Sequence, residues 1–306
     1  ADDKVYTATL TPTDGIDNGN ISITVAAGSY TNAAGTAGLA APAPVITFDT
    51  KAPTLVITSS DDALKIGDTA LITFTFSEVP VGFTTADIST LNGTFSNLLP
   101  TGDNKVYTGT FTPTPEVASG NATISVAAGS YKDAAGNDGA EGPSPVMTID
   151  TKAPGLTITS TNKSVGIAQS AVITFTFTET PVGFSAGTAN VLGGTLINFA
   201  QDPGDDKIYT ATFARCNDVD IGNGSINVPA GSYFDAAGNP GKPGNPPSIS
   251  VDLGFRIDGK EQDEQSGRSV RSAGDINGDG FDDVIVGAPY SSIGITYVVF
   301  GKASAF

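Results

Sequence analysis

Apolar and polar residues alternate along most of this chain. In Leu71–Phe76, Ile72, Phe74 and Phe76 share one face while Leu71, Thr73 and Thr75 share the other, and Val172–Phe177 repeats the pattern. A period of two predicts strands with one buried face. Similar runs are Val5–Leu10, Ile21–Ala26, Val45–Phe48, Leu55–Thr58, Val106–Phe111, Ile124–Ala127, Val146–Ile149, Leu156–Thr159, Leu196–Phe199, Ile208–Phe213 and Ile249–Val251. Gly, Pro, Asn and Asp separate them, and helical periodicity is nearly invisible. The expected fold class is all-β.

The pattern also repeats over a longer distance. Val-Ala-Ala-Gly-Ser-Tyr occurs at Val25–Tyr30 and Val126–Tyr131, with a near copy at Val228–Tyr233. Asp49-Thr50-Lys51-Ala52-Pro53 recurs at Asp150–Pro154, and Pro80-Val81-Gly82-Phe83 at Pro181–Phe184. The spacing is about a hundred residues, the size of one two-sheet antiparallel sandwich, and exceeds that of a solenoid unit. Each repeat holds roughly seven short strands, as such a sandwich requires. Complete repeats are expected at 50–150 and 151–251. Residues 1–49 align with the second half of a repeat, and 252–306 break the pattern. Half a sandwich leaves an apolar face and sheet edges open. Its missing strands either lie upstream or come from another molecule by strand addition, and the plainer expectation is upstream.

Charge narrows the function. The chain has 306 residues and a net charge of −17, from 32 acidic and 15 basic residues. It repels phosphate backbones, so nucleic acid is not an expected partner. Histidine is absent, which removes the usual general base and the commonest zinc ligand. One cysteine, Cys216, rules out an internal disulfide framework; it reads as an inert thiol or as the half of an intermolecular bridge. No apolar run is long enough to span a membrane, and no signal peptide is visible at Ala1-Asp2-Asp3-Lys4. No Walker loop, Gly-x-Ser-x-Gly elbow or Cys-x-x-Cys pair occurs, and no enzymatic role is expected.

Three motifs in constant order carry a family resemblance over about 1–251: the Asp-Thr-Lys-Ala-Pro connections, the Ser77–Phe83 segment and the Tyr131-Lys132-Asp133-Ala134-Ala135-Gly136-Asn137 loop. They resemble the bacterial Ig-like repeats of giant surface adhesins. The last part differs. Ser266–Val270, Gly274–Asp283, Gly287-Ala288-Pro289 and Phe300-Gly301 resemble one FG-GAP repeat, the blade unit of integrin α-chain β-propellers. A propeller uses roughly 4–8 blades, so one blade implies others or a different packing partner. The resemblance implies tandem Ig-like sandwiches followed by a propeller-type β unit, in an extracellular, rod-forming role; it names no ligand.

Two kinds of cation site are expected. The first is Asp275-x-Asn277-x-Asp279-Gly280-x-x-Asp283. Oxygen side chains at positions 1, 3 and 5, Gly at position 6, a carbonyl at position 7 (Phe281) and Asp283 at position 9 suit a calcium loop. Val286 stands where an EF-hand has Glu, and a strand follows, so this is the propeller type of loop. The bland alternative is an Asx-rich turn without metal. The second kind comes from topology. The loop bearing Glu78 and the loop bearing Asp133 and Asn137 should both lie at the end where the chain enters the sandwich, beside Asp49. One repeat later the set is Asp150, Glu179, Asp235 and Asn239. Carboxylates gathered at a junction favour Ca²⁺, which takes 6–8 oxygens in flexible geometry, with an expected affinity of roughly 10⁻⁴–10⁻³ M. The alternative is a plain Asp-Ala-Ala-Gly-Asn turn with Glu78 solvated. In the first, incomplete repeat Asn32 and Thr36 replace the Asp and the Asn.

Tyr30, Tyr131 and Tyr233 share one repeat position and are expected to pack against the sandwich end. Asn-x-Ser/Thr sequences at Asn20, Asn92, Asn121, Asn162 and Asn223 are unsurprising in a Thr-rich chain. The expected function is structural or adhesive: a calcium-stiffened rod in a long extracellular bacterial protein or fibre. Its expected partners are further copies of the repeat, other subunits through strand sharing, or a surface protein or glycan. The alternative is a stalk carrying an FG-GAP head that binds protein or glycan.

Overall fold

The computed structural model describes residues 4–166, 169–215, 223–247, 249–251, 265–289 and 294–301. Cys216 and Asp252-Leu253-Gly254 lie outside them. The described chain is all-β apart from two three-residue 3₁₀ turns, Thr85–Asp87 and Ala186–Thr188. No helix among the described residues is long and apolar enough to cross a membrane. The chain divides into two compact units: 1–156 with 177–184 and 229–243, and 157–176 with 185–228 and 244–306.

In the first unit, β1 (Gly19–Ser22) and β2 (Val45–Phe48) form an antiparallel pair, Gly19 opposite Phe48. Val5–Leu10, expected as a strand, is irregular and exposed. Its repeat counterpart Val106–Pro113 is flanked on both sides by strands that have no equivalents within 4–49, and a strand without a ladder partner leaves its backbone to water.

The following sandwich is complete. It contains β3 (Leu55–Ser59), β4 (Ala63–Leu64), β5 (Ala70–Phe76), β6 (Ile88–Leu91), β7 (Gly93–Pro100), β8 (Val106–Pro113), β9 (Gly120–Val126) and β10 (Met147–Ile149). One sheet runs β3-β5-β8-β7 and the other β4-β10-β9-β6. Every pairing in these two sheets is antiparallel except β4 with β10, which is parallel. The alternation in β5 works as read: Ala70, Ile72, Phe74 and Phe76 are buried, while Leu71 and Thr75 are exposed. They meet Leu55, Ile57, Phe111, Ile124, Val126 and Met147 in one core. β7, not among the expected strands, alternates only in part. The register with β8 shifts between Ser96 and Leu99, and Asn97 takes φ 59°.

In the next repeat, β11 (Leu156–Ser160), β12 (Ser164–Val165), β13 (Ser170–Phe177), β14 (Asn190–Leu192), β15 (Gly194–Gln201), β16 (Ile208–Arg215), β17 (Asn223–Asn227) and β18 (Ile249–Val251) repeat that plan. The sheets are β11-β13-β16-β15 and β12-β18-β17-β14. The bulge recurs between Ile197 and Ala200, with Asn198 at φ 53°. β19 (Ser269–Gly274), β20 (Asp283–Ala288) and β21 (Ile295–Val299) form a separate antiparallel sheet in that order.

Candidate cation sites

Two loops at one end of the first sandwich are held together by aromatic packing. Phe76 ends β5 and Phe83 lies near the end of the loop that follows; Tyr131 lies in the loop after β9. The Phe76 ring packs edge-on against Phe83 and Tyr131, with centroids 4.9 Å away in each case. Such pairs add about 0.5–1.5 kcal/mol each beyond burial. Backbone bonds then pin the loops directly: Val81 donates to the Lys132 carbonyl at 2.7 Å and Lys132 to that of Val81 at 3.1 Å. Glu78 lies between Phe76 and Phe83 in sequence, and Asp133 lies two residues past Tyr131, so packing of the rings delivers both acids to one place.

The connector Asp49–Pro53 is clasped from both sides. The buried Thr151 of the next connector shows how. Its N–H donates to the Val117 carbonyl and its hydroxyl to that of Thr114, while it accepts from the Val117 N–H (2.8, 2.6 and 3.1 Å). Thr50 makes the same contacts with Ile16 and Thr13. On the other side the Pro53 carbonyl accepts from the Ala140 N–H at 2.9 Å and the Tyr131 hydroxyl at 3.2 Å. Burial, and then the nearby Glu78, push the Tyr131 hydroxyl up to about 12. The sequence marked Thr50 and Thr151 by their constant register, but the bonds they make were not readable from it.

These supports bring Asp49, Glu78 and Asp133 together, and one repeat later Asp150, Glu179 and Asp235. In each group, one carboxylate oxygen per residue lies within 4.8 Å of the others. All six residues belong to the first compact unit. Among the described residues these are the two places where three acids converge so closely. Asp133 and Asp235 are each only 2% exposed. Burial raises the Asp133 carboxyl, but hydrogen bonds from the Asn137 side chain and from the Asn137, Gly136 and Ala135 N–H groups outweigh it, so its pKa is lowered. The Glu78 carboxyl is raised by burial, then by Asp133, Asp49 and Asp17, with Lys51 opposing. Glu179 is raised by burial, Asp235 and Asp150 against Lys152. Each cluster thus concentrates negative charge that its own lysine offsets only in part.

Asn137 and Asn239 face these acids with their donors. Asn137 donates to Asp133 Oδ2 at 2.6 Å and to the Asp49 carbonyl at 3.2 Å. Asn239 donates to Asp235 Oδ2 at 2.8 Å and the Asp150 carbonyl at 2.9 Å, and its Oδ1 accepts from the Ile66 N–H at 2.7 Å. Their Nδ2 groups therefore hold the aspartates in place.

The 275–283 loop is built differently. Gly278 and Gly280 take φ of 76° and 89°, a left-handed conformation that favours glycine. Asp275 Oδ1 accepts from the N–H of Gly278 and Asp279, and its Oδ2 from that of Gly280. Asn277 Oδ1 accepts from Asp279 and Asp279 Oδ1 from Phe281. Asp283, 0% exposed, accepts from the Ile276 N–H and from the Gly301 N–H, both at 2.8 Å. It ties the loop to the chain beyond β21. A Cβ at residue 301 would stand 2.6 Å from the Asp282 carbonyl oxygen, so only glycine brings that N–H so near.

Paired sandwiches with repeated acidic connectors define a class, the tandem Ig-like repeat protein, and the comparisons place it. The family model for the bacterial Ig-like domain matches residues 1–45, 49–148 and 150–251, and that for the FG-GAP repeat matches 266–303. The chain belongs to the bacterial Ig-like domain family and carries one FG-GAP repeat. No curated protein matches it. Solved structures similar to it include the adhesin InvE of Yersinia pseudotuberculosis (15% identity, 65% of this chain and 58% of that one, TM-score 0.25). A marsupial T cell receptor (10% identity, 80% and 100%, TM-score 0.34) and the I9–I11 tandem of titin (12%, 66% and 64%, TM-score 0.28) are also similar. The chain spans 58% of the length of that adhesin chain.

Proposed function

We propose that this chain is an adhesive or structural segment of an extracellular bacterial surface protein, with Ca²⁺ stiffening the junctions between its repeats. The observation that carries the reading is the recurrence of one three-carboxylate cluster at both connectors, in each case one acid from the connector and two from the loops of the following repeat. Three acids within 4.8 Å repel one another unless a cation neutralises them. Their hard oxygens and flexible loops suit Ca²⁺ above softer metals. Asp49, Glu78 and Asp133 would hold one ion, and Asp150, Glu179 and Asp235 another, with Asn137 and Asn239 orienting the aspartates. The 275–283 loop also fits calcium in residue type and order. Asp275, Asn277, Asp279, the Phe281 carbonyl and Asp283 would serve it, sharing oxygens with the N–H groups they now accept from. Domain limits of 1–49, 50–150, 151–251 and 252–306 follow from this reading.

A bound ion turns mutual repulsion into a bridge between connector and loops, so the rod bends less and resists unfolding. The FG-GAP match supports a second role in which the sandwiches carry a binding head. Calcium titration of the full chain by calorimetry tests the main reading, with electron microscopy in calcium and in chelator. Loss of the junction share of the binding heat in the double variant Glu78→Gln, Glu179→Gln, with the share of the 275–283 loop kept, and straighter wild-type particles in calcium, are the expected results. Unchanged heat and particle shape in the wild-type chain would overturn it.

A further inference from the structure

We infer that Asn239 is a positioning residue that couples neighbouring repeats without any bound cation. Every polar atom of this side chain is used, and it is 0% exposed. Its backbone N–H donates to Asp235 Oδ1 at 2.8 Å. Its amide donates to Asp235 Oδ2 in its own loop and to the carbonyl of Asp150 in the connector. Its Oδ1 accepts from Ile66, in the turn between β4 and β5 of the preceding sandwich. That turn is self-supporting: Lys65 donates to Asp68 Oδ2 at 3.1 Å, Asp68 to the Lys65 carbonyl at 3.2 Å, and Gly67 takes φ 85°. It presents the Ile66 N–H ready-made. Asp150 itself donates to the Leu64 carbonyl at 2.9 Å, so the connector and the turn are already in register when Asn239 joins them.

The first repeat shows that the loop does not need this asparagine to fold. There Thr36 stands in its place and Asn32 in place of the aspartate. Asn32 Oδ1 still accepts from the N–H of Ala34 at 3.0 Å and of Thr36 at 2.9 Å, and Gly35 still donates to the Asn32 carbonyl at 2.9 Å. The turn closes with a hydroxyl side chain at its fifth position. The amide in the later copies therefore serves what lies outside the turn. Asn137 is intermediate: it binds Asp133 and the Asp49 carbonyl, and it is half-buried. An exposed ion pair, Lys242 with Glu116 at 3.4 Å, spans the same two repeats but is open to water and salt.

The test is amide-resolved hydrogen exchange on the full chain in chelator. Asn239→Thr copies the residue that the first repeat tolerates. Exchange at Ile66 should rise about tenfold, the effect of losing one part-buried hydrogen bond, while Gly238 and Asp235 stay protected. Should the loop amides accelerate as well, Asn239→Asp decides. It keeps an acceptor for Ile66 but puts a fourth carboxylate against Asp150 and Asp235, and Ile66 should again exchange faster. Unchanged protection of Ile66 in both variants would overturn the inference. Failure of the wild-type chain to bind calcium would sink the cation sites and leave this chelator result standing.

Discussion

The junction clusters and the 275–283 loop both gather acids, by opposite means. In the loop the acids are neighbours in sequence, and local geometry hands Asp275, Asp279 and Asp283 backbone N–H groups to accept from, with Gly301 adding one to Asp283 from beyond β21. At the junctions the acids are far apart in sequence and are brought together by ring packing and connector clasps, which leave their charges facing one another. Short spacing between acids therefore does not predict convergence. Local N–H groups compete for the oxygens of Asp and Asn wherever the turn allows it. Strong repulsion needs a fold rigid enough to impose it.

The largest expected effect sets the two regions apart. Asp235→Ala strips one acceptor from the buried Asn239 amide and removes an acid from the cluster. It should cost about 2–4 kcal/mol in chelator, and calcium should not restore it. Differential scanning calorimetry reads both values; a loss under about 0.5 kcal/mol would mean the junction relaxes freely. Next, at calcium ten to a hundred times the dissociation constant, each occupied junction gains about 1.4–2.7 kcal/mol over chelator. The sandwich transitions should move more than that of the FG-GAP unit, and equal shifts would erase the contrast.

Third, Gly301→Ala should cost about 1–2 kcal/mol in the FG-GAP unit alone, by pushing the N–H away from Asp283. An equal shift in the sandwich transitions would mean that this sheet and the sandwich strands unfold together.

The pH profile gives a subtler difference. Glu78 and Glu179 have folded pKa values above 4.5, so the folded state holds their protons longer. Stability in chelator should fall as pH rises from 4.5 through those raised values. The Asp133 carboxyl is lowered from 3.8, so its contribution is present above 3.8 and lost as pH falls through the folded value. Glu78→Gln with Glu179→Gln should flatten the upper limb and leave the acid limb; melting curves across pH 3–8 show which. The smallest effect is Lys242→Ala, about 0.5 kcal/mol or less, vanishing at high salt.

Much of this molecule could be read before any coordinates. Alternation in Leu71–Phe76 and its copies reflects a sheet with one wet face, and the recurrence of Asp-Thr-Lys-Ala-Pro marks the modules. The acids at 49, 78 and 133 could be brought to one end by counting strand reversals, because antiparallel strands alternate direction. Hydrogen-bond direction was beyond that reading. Asn137 and Asn239 could be placed beside the acids, but only the packed structure shows which atom of an amide faces which group. The β7 bulge, the Thr151 clasp and the Ile66 N–H likewise depend on contacts between distant segments. Periodicity and residue type are local properties that follow from backbone geometry and solvent. The pairing of a buried polar atom is set by whatever the fold places within three ångströms of it.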